Sequence, residues 1–315
     1  MLSKTCNDKE FDEVFEEVES LEMSELPNNN CLKIYVLPIT NNKFNYLKMK
    51  GIIIDNIKSY VFSRKKISEY IENGKNDRLV FEAITKFREI KDNNDPGKGS
   101  ELGEILLYIF LESQLGARKI LSKMELKTSR NDYVKGADGV FLHSYINKES
   151  KYFDFIIGEA KMYKDIKNAI NKAFESIEDH LKVKDFEYNL VNDNIFKEVV
   201  TEDEAEEIKK IIMPSHSKEK KVLRNDAFGI FLGYTLFPES VAVTNKSFED
   251  AGNDINNKIL EDIKDIKNQI VEKILHYNLQ SYSFYIYIVP FNDVTNDREN
   301  IMKEIIGEGW KWSVN

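Results

Sequence analysis

The sequence predicts an α/β protein with a central mixed β-sheet flanked by helices. Three observations lead to that fold class. Between residues 100 and 177 the hydrophobic pattern runs in the order helix, strand, strand, strand, helix. Farther on, Phe228–Tyr234 and Ser283–Phe291 read as two more strands, separated by a long helix at 248–278. A content of 42% hydrophobic and 11% aromatic residues over 315 positions is enough to fill the core of one large domain or two small ones.

Taken in order, residues 8–25 place Phe11, Val14, Phe15, Val18 and Leu21 at helical spacing. The segment carries nine acids against Lys9 alone, so an acidic amphipathic helix is expected. Its acids are a solvated face, a cover for a basic groove, or a contact for a basic partner. Cys31–Leu37 reads as a strand. Residues 44–91 look helical with interruptions, Ile52–Ile54 being a possible short strand and Asn73-Gly74 a break. Lys91 to Ser100 is the strongest loop signal, and it divides an N-terminal region, 1–95, from a core region, 96–315.

Ser100 caps a helix running to about Gly116, with Leu102, Ile105, Leu106, Ile109 and Phe110 as its buried face. Glu101 and Glu104 fall in its first turn, where the helix dipole favours acids. Lys119–Leu126 reads as the first core strand and Gly139–His143 as the second. The third starts at Tyr152 and ends Gly158-Glu159-Ala160-Lys161, and a helix follows from Asp165 to Ile177. Residues 178–226 look like inserted or linking helices with a solvated surface. Ile255, Ile259, Ile263, Ile266, Ile270 and Ile274 form one stripe of the long helix, a core or partner seam. A last helix is expected from Asp297 to Ile306, then a tail with Trp310 and Trp312 as a possible edge strand.

The chemistry concentrates between Gly136 and Lys161. Glu159 and Lys161 are two residues apart on a strand, so their side chains share a face about 7 Å apart along the chain. Pairing of the second and third strands sets Asp138 beside Glu159. Two carboxylates and an ammonium then converge on one point of a sheet. That grouping suits metal-dependent phosphodiester hydrolysis, with Asp138 and Glu159 as ligands of Mg²⁺ (or Mn²⁺) and Lys161 assisting the attacking water. The tripeptide Glu-x-Lys also begins at Glu89, Glu125, Glu149, Glu207 and Glu219. Only the copy at Glu159 has an apolar strand running into it and an Asp-Gly upstream.

The rest of the chain narrows the classes of function. Unbroken apolar runs are far short of the roughly 20 residues of a membrane span. The N-terminus lacks a signal peptide's apolar core, and two cysteines make neither a disulfide framework nor a zinc site, so a reducing cytoplasm is expected. Four scattered histidines argue against a histidine metal cluster, and there is no Gly-rich phosphate loop. A net charge of −9 disfavours a constitutive nucleic-acid coat. Residues 117–135 nonetheless hold six bases against two acids. Lys127, Arg130 and Lys135 there, and Lys164 beyond the third strand, are candidate DNA-backbone contacts, solvation being the alternative.

Asp138, a 21-residue step, then Glu159-Ala160-Lys161 resembles the PD-(D/E)xK nuclease superfamily, although no proline precedes Asp138. That likeness implies a restriction-endonuclease-like core and a further glutamate from the preceding helix, for which Glu104 is the candidate. The words Gly103–Tyr108, Ser122–Thr128, Gly136–Val140 and Gly158–Lys164 are similar to the HamA nuclease subunit of Hachiman anti-phage systems. The similarity is most specific over residues 98–180 and reaches the strand at 283–291. It implies a DNA nuclease held by a superfamily 2 helicase partner, HamB, that licenses cleavage. The rival expectation is a non-catalytic subunit that binds DNA or helicase on a nuclease-like scaffold.

If Lys127 and Arg130 contact DNA phosphates, changing both to Ala weakens binding and flattens its salt dependence. Each lost contact lowers the log–log slope by roughly 1. A salt titration of binding reads this directly, and an unchanged slope marks the segment as solvated surface.

Overall fold

Seven strands form one mixed sheet in the order β1-β2-β9-β8-β7-β6-β5. In chain order they are β1 (Glu16–Glu22), β2 (Asn30–Val36), β5 (Arg118–Leu121), β6 (Gly139–Asn147), β7 (Ser150–Met162), β8 (Leu223–Thr235) and β9 (Ser283–Phe291). A separate two-stranded hairpin pairs β3 (Ile39–Thr40) with β4 (Lys43–Phe44). The computed structural model describes residues 2–28, 30–91, 101–126, 137–182, 184–213, 222–236 and 248–307.

The central strands β2, β9, β8 and β7 are parallel, and β1, β6 and β5 join at the edges in antiparallel fashion. Parallel strands need both faces covered, and β9 is buried at every position. Alternation along β7 divides the two covers. Its even-numbered residues Gly158 and Ala160 meet α5 (Glu101–Phe110), while Glu159 points to α7 (Ile166–Lys182). Helix α2 (Leu47–Val61) and the helix Val294–Ile306 pack on α5, and α3 (Arg64–Glu72) and α4 (Asn76–Lys91) pack on α2. The long helix Phe248–His276 packs on α7, and its isoleucine stripe is buried throughout, so that stripe is core.

Helix α5 lies unusually close to the sheet. A Cβ added at Gly158 would stand 2.9 Å from the Leu107 side chain, and one at Gly229 would stand 2.8 Å from Leu111. Gly103 is the matching gap on the helix, where a Cβ would sit 3.2 Å from that of Ala160. Past Phe110 the helix widens into a π-helical turn, Leu111–Leu115, ended by Gly116 in the left-handed region. Phe110 anchors an aromatic cluster on this side, with the rings of Phe11, Phe15, Tyr35, Phe231 and Tyr287 at 4.8–5.6 Å from its own.

Two expected elements are corrected. Residues 8–25 are a single helical turn, α1 (Phe11–Val14), followed by the edge strand β1. A register shift between Glu17 and Glu19 adds a residue to β1 and breaks its period-two pattern, so Val18 and Leu21 mimic helical spacing. The acids of β1 protect a sheet edge. Because β1 and β5 are opposite edges of the sheet, six strand spacings or about 29 Å apart, these acids do not cover Arg118–Leu121. The first core strand is also shorter than expected. It stops at Leu121, and Lys123–Leu126 is a short helix, α6. Ile52–Ile54 belongs to α2, and Gly74 breaks the helices with positive φ.

Residues 184–212 form two helices, α8 (Lys184–Glu198) and α9 (Glu202–Ile212), as the inserted segment suggested. Most of the Lys91–Ser100 loop, and the tail with Trp310 and Trp312, lie outside the described residues. Both cysteines are free thiols. Among the described residues no helix is long and apolar enough to cross a membrane.

The β6–β7 hairpin turns on Lys148 and Glu149, both with positive φ (47° and 65°). That is the two-residue turn which favours Asn-Gly, because L side chains are strained there. The double variant K148N/E149G is expected to raise stability by about 1 kcal/mol, read as a higher denaturation midpoint with an unchanged slope. A lower midpoint would contradict this turn geometry.

Candidate active site

The hairpin register decides which carboxylates meet. Gly139 pairs with Gly158, which sets Asp138 opposite Glu159. Two bonds secure the junction. The Asp138 N–H donates to the Gly158 carbonyl at 2.8 Å, and the Ala160 N–H donates to Asp138 Oδ2 at 2.7 Å. Glu159 and Lys161, two residues apart on the same face of β7, form an ion pair. On its other oxygen Glu159 accepts a 2.7 Å hydrogen bond from His180 Nε2 of α7. Facing a carboxylate, that ring nitrogen carries the proton.

Glu104 comes from the opposite face, in the first turn of α5. Its Oε2 accepts a 2.8 Å hydrogen bond from the Tyr60 hydroxyl of α2. The glycine contacts described above bring this end of α5 against β7, so Glu104 acts electrostatically on Asp138. The structure thus brings Asp138, Glu159, Lys161 and Glu104 together.

Their electrostatics differ. Burial, then the charges of Glu159 and Glu104, hold the Asp138 carboxyl well above the usual carboxylate range. Burial would raise Glu159 too, but the His180 hydrogen bond and the Lys161 charge outweigh it and leave Glu159 below its ordinary value. Burial acts to lower Lys161, and the adjacent Glu159 overcomes it and raises the ammonium. Glu159 is therefore a carboxylate and Lys161 an ammonium at neutral pH. Asp138 is the acid whose charge the fold opposes.

Asp138 and Glu159 are the residues placed to hold a cation. Among the described residues no three His, Cys, Asp or Glu side chains form a ready-made metal cage. Mg²⁺ can be bound by one or two carboxylates, with waters and phosphate oxygens as its other ligands. A carboxylate offers about four lone-pair sites, so the bonds from Lys161 and His180 do not exhaust Glu159. A cation would also relieve the repulsion that raises Asp138.

The proposed DNA contacts divide. Lys127, Arg130 and Lys135 lie outside the described residues. Lys164 is exposed and lines an open cleft of about 420 Å³ with Tyr163, Asp165, Asn168 and Thr235, just past Lys161. The other bases of 117–135 have internal work. Lys119 is buried and donates to the Ser59, Tyr60 and Phe62 carbonyls at 2.5–3.0 Å, at the C-terminus of α2. Burial lowers its pKa to about 8. Lys123 is buried beside Glu187, and Arg118 donates to the Gly116 carbonyl.

Two residues of the site escaped sequence reasoning. His180 extends the buried stripe Ile166, Ile170, Ala173 and Ile177 of α7 by three positions, where one polar residue among apolar ones was the available signal. Tyr60 sits among apolar residues near the end of α2, and nothing in its surroundings marks it.

Asp138 also makes a stability prediction. Its folded pKa is raised, so above the unfolded value near 4 the folded state holds a proton the unfolded state has released. Stability contributed by that proton is present at acid pH and is lost as pH rises. Asp138→Asn keeps the oxygen that accepts from Ala160 and removes the repelled charge. In EDTA at pH 7 it is expected to be more stable than wild type by about 1 kcal/mol. The gain should vanish below about pH 4. Thermal denaturation across pH checks both, and a destabilised variant at pH 7 would contradict the electrostatic account.

No curated protein matches the chain significantly. A model of the HamA family matches residues 10–305, which takes in β1 to β4 of the N-terminal region and all the residues of the site. The chain therefore belongs to the HamA family and is a component of the Hachiman anti-phage defence system.

Proposed function

We propose that this chain is the nuclease effector of its defence system, a Mg²⁺- or Mn²⁺-dependent deoxyribonuclease controlled by a superfamily 2 helicase partner of the HamB type. The observation that carries the reading is the convergence of Asp138, Glu159 and Lys161 at one end of the β6–β7 pair. Asp138 and Glu159 would hold the metal. When bound, it supplies neutralisation of the phosphate and a water of lowered pKa. Lys161 is 22% exposed, so its ammonium reaches the solvent side while paired with Glu159. There it orients the attacking water and offsets charge that develops on the phosphate oxygens. His180 holds Glu159 in one rotamer from behind, and Tyr60 does the same for Glu104.

The alternative of a non-catalytic scaffold has less support. A binding surface does not require a like-charged acid beside a buried carboxylate, an arrangement that costs stability. Active sites commonly make that exchange.

Glu159→Ala and Lys161→Ala are each expected to reduce Mg²⁺-dependent DNA cleavage at least a hundredfold while leaving the fold intact by circular dichroism. The assay uses the chain alone and with its helicase partner, ATP and DNA ends. Wild-type cleavage by both folded variants would sink the catalytic assignment. A helicase that neither binds the chain nor changes its activity would sink the partner's role.

A further inference from the structure

We propose that Glu187 and Lys123 are positioning residues for Asp138, so that helix α8 of the inserted segment sets the metal affinity of the site. The inference rests on the reading of Asp138 as a metal ligand.

Asp138 stands where the chain enters β6, and Ala137 is the described residue before it. Both backbone polar groups of Ala137 are taken by side chains. Its N–H donates to Glu187 Oε1 at 2.8 Å, and its carbonyl accepts from Lys123 Nζ. Lys123 and Glu187 are themselves an ion pair at 3.1 Å. The N–H and Oδ2 of Asp138 itself are bound by β7. The peptide group joining Ala137 to Asp138, and the Ala137 N–H before it, are thereby fixed from α6, β7 and α8 together.

Packing does not explain this arrangement. Glu187 is fully buried, Lys123 is 9% exposed, and among the described residues Glu187 Oε2 has no hydrogen-bond partner. A buried ion pair is usually no more stabilising than apolar residues of the same volume, because desolvation offsets the attraction. What apolar residues cannot do is hold a backbone N–H and a backbone C=O of one residue at once. A ligand carboxylate has to be held within a fraction of an ångström, and this clamp acts one residue away from it.

The same helix supplies an internal control. Glu198, also buried, accepts from the Ser122 N–H at 2.8 Å and the Ser122 hydroxyl at 2.9 Å. It anchors the end of β5 as firmly as Glu187 anchors Ala137, but it makes no bond to the residues beside Asp138.

The test is Mn²⁺ binding to the full chain without DNA, followed by electron paramagnetic resonance, with Mg²⁺ dependence of cleavage as a second readout. Wild type is expected to bind Mn²⁺ and Asp138→Ala to lose binding. Glu187→Ala should weaken it at least tenfold. Glu187→Gln, which still accepts from Ala137, should restore it to within about threefold of wild type. Glu198→Ala should bind Mn²⁺ as wild type does, even where its melting temperature falls. If Glu187→Ala does not fold, the double variant K123M/E187L takes its place, since it removes both buried charges together. Wild-type affinity in a folded Glu187 variant overturns the positioning role and leaves the metal site standing. Equal weakening by Glu198→Ala overturns it as well, because the effect is then general loosening. If wild type and Asp138→Ala do not differ, the metal-site reading falls and the positioning role falls with it.

Discussion

Glu159 is a charged carboxylate inside the protein, and much of the architecture follows from the need to compensate it. Isolated, such a group would take up a proton rather than stay ionised. Lys161 compensates it from the same strand face, which requires β7 to stay regular through both residues. His180 compensates it from α7, which fixes the rotation and the height of that helix on the sheet. Helix α7 is in turn held by the long isoleucine helix behind it. One buried charge therefore ties a strand and two helix layers to a single register.

Asp138 is located by different means. Burial and the charges of Glu159 and Glu104 outweigh the favourable pull of Lys161 on it. Its position comes from the β6–β7 register, from the backbone bonds to Gly158 and Ala160, and from the close seating of α5 over Gly158 and Gly229. Glu159 is held by charge and Asp138 by backbone geometry, in opposition to charge. The pair is asymmetric as a result, with one acid ionised at neutral pH and the other resisting ionisation until something positive arrives.

The strands and helices that carry this site were legible because their residues bury on both sides or along one clear stripe. β8, β9 and α5 are near-continuous buried runs, and α7 and the isoleucine helix each carry one buried stripe. The pairing of Asp138 with Glu159 could be read from an Asp-Gly before one strand and a Glu-x-Lys at the end of the next. The failures have physical causes. β1 is a half-exposed edge strand with a bulge, so neither alternation nor an apolar run marks it. β5 is four residues long, shorter than a periodic signal can establish. His180, Tyr60 and Glu187 act through contacts with residues 21, 44 and 50 positions away. Each is one polar side chain on an otherwise buried face, a position that local sequence gives no reason to single out.

Charge counted along the chain does not separate surface cations from internal ones. Six bases between 117 and 135 suggest a basic surface, yet Lys119 and Lys123 are internal clamps and Arg118 bonds to its own backbone turn. Electrostatic capture of DNA depends on cations that are free to release counterions, and those buried lysines contribute none. The acidic edge strand does not cancel them either, because about 29 Å of sheet separates the two edges, several Debye lengths at physiological salt. Among the described cations near this site, Lys161 is paired with Glu159, Lys172 with Glu175, Arg298 donates to the Met162 carbonyl, and Lys164 lines the cleft beyond Lys161. A chain of net charge −9 has little long-range attraction for a polyanion. The proposed helicase partner would meet that need by delivering the strand to the site.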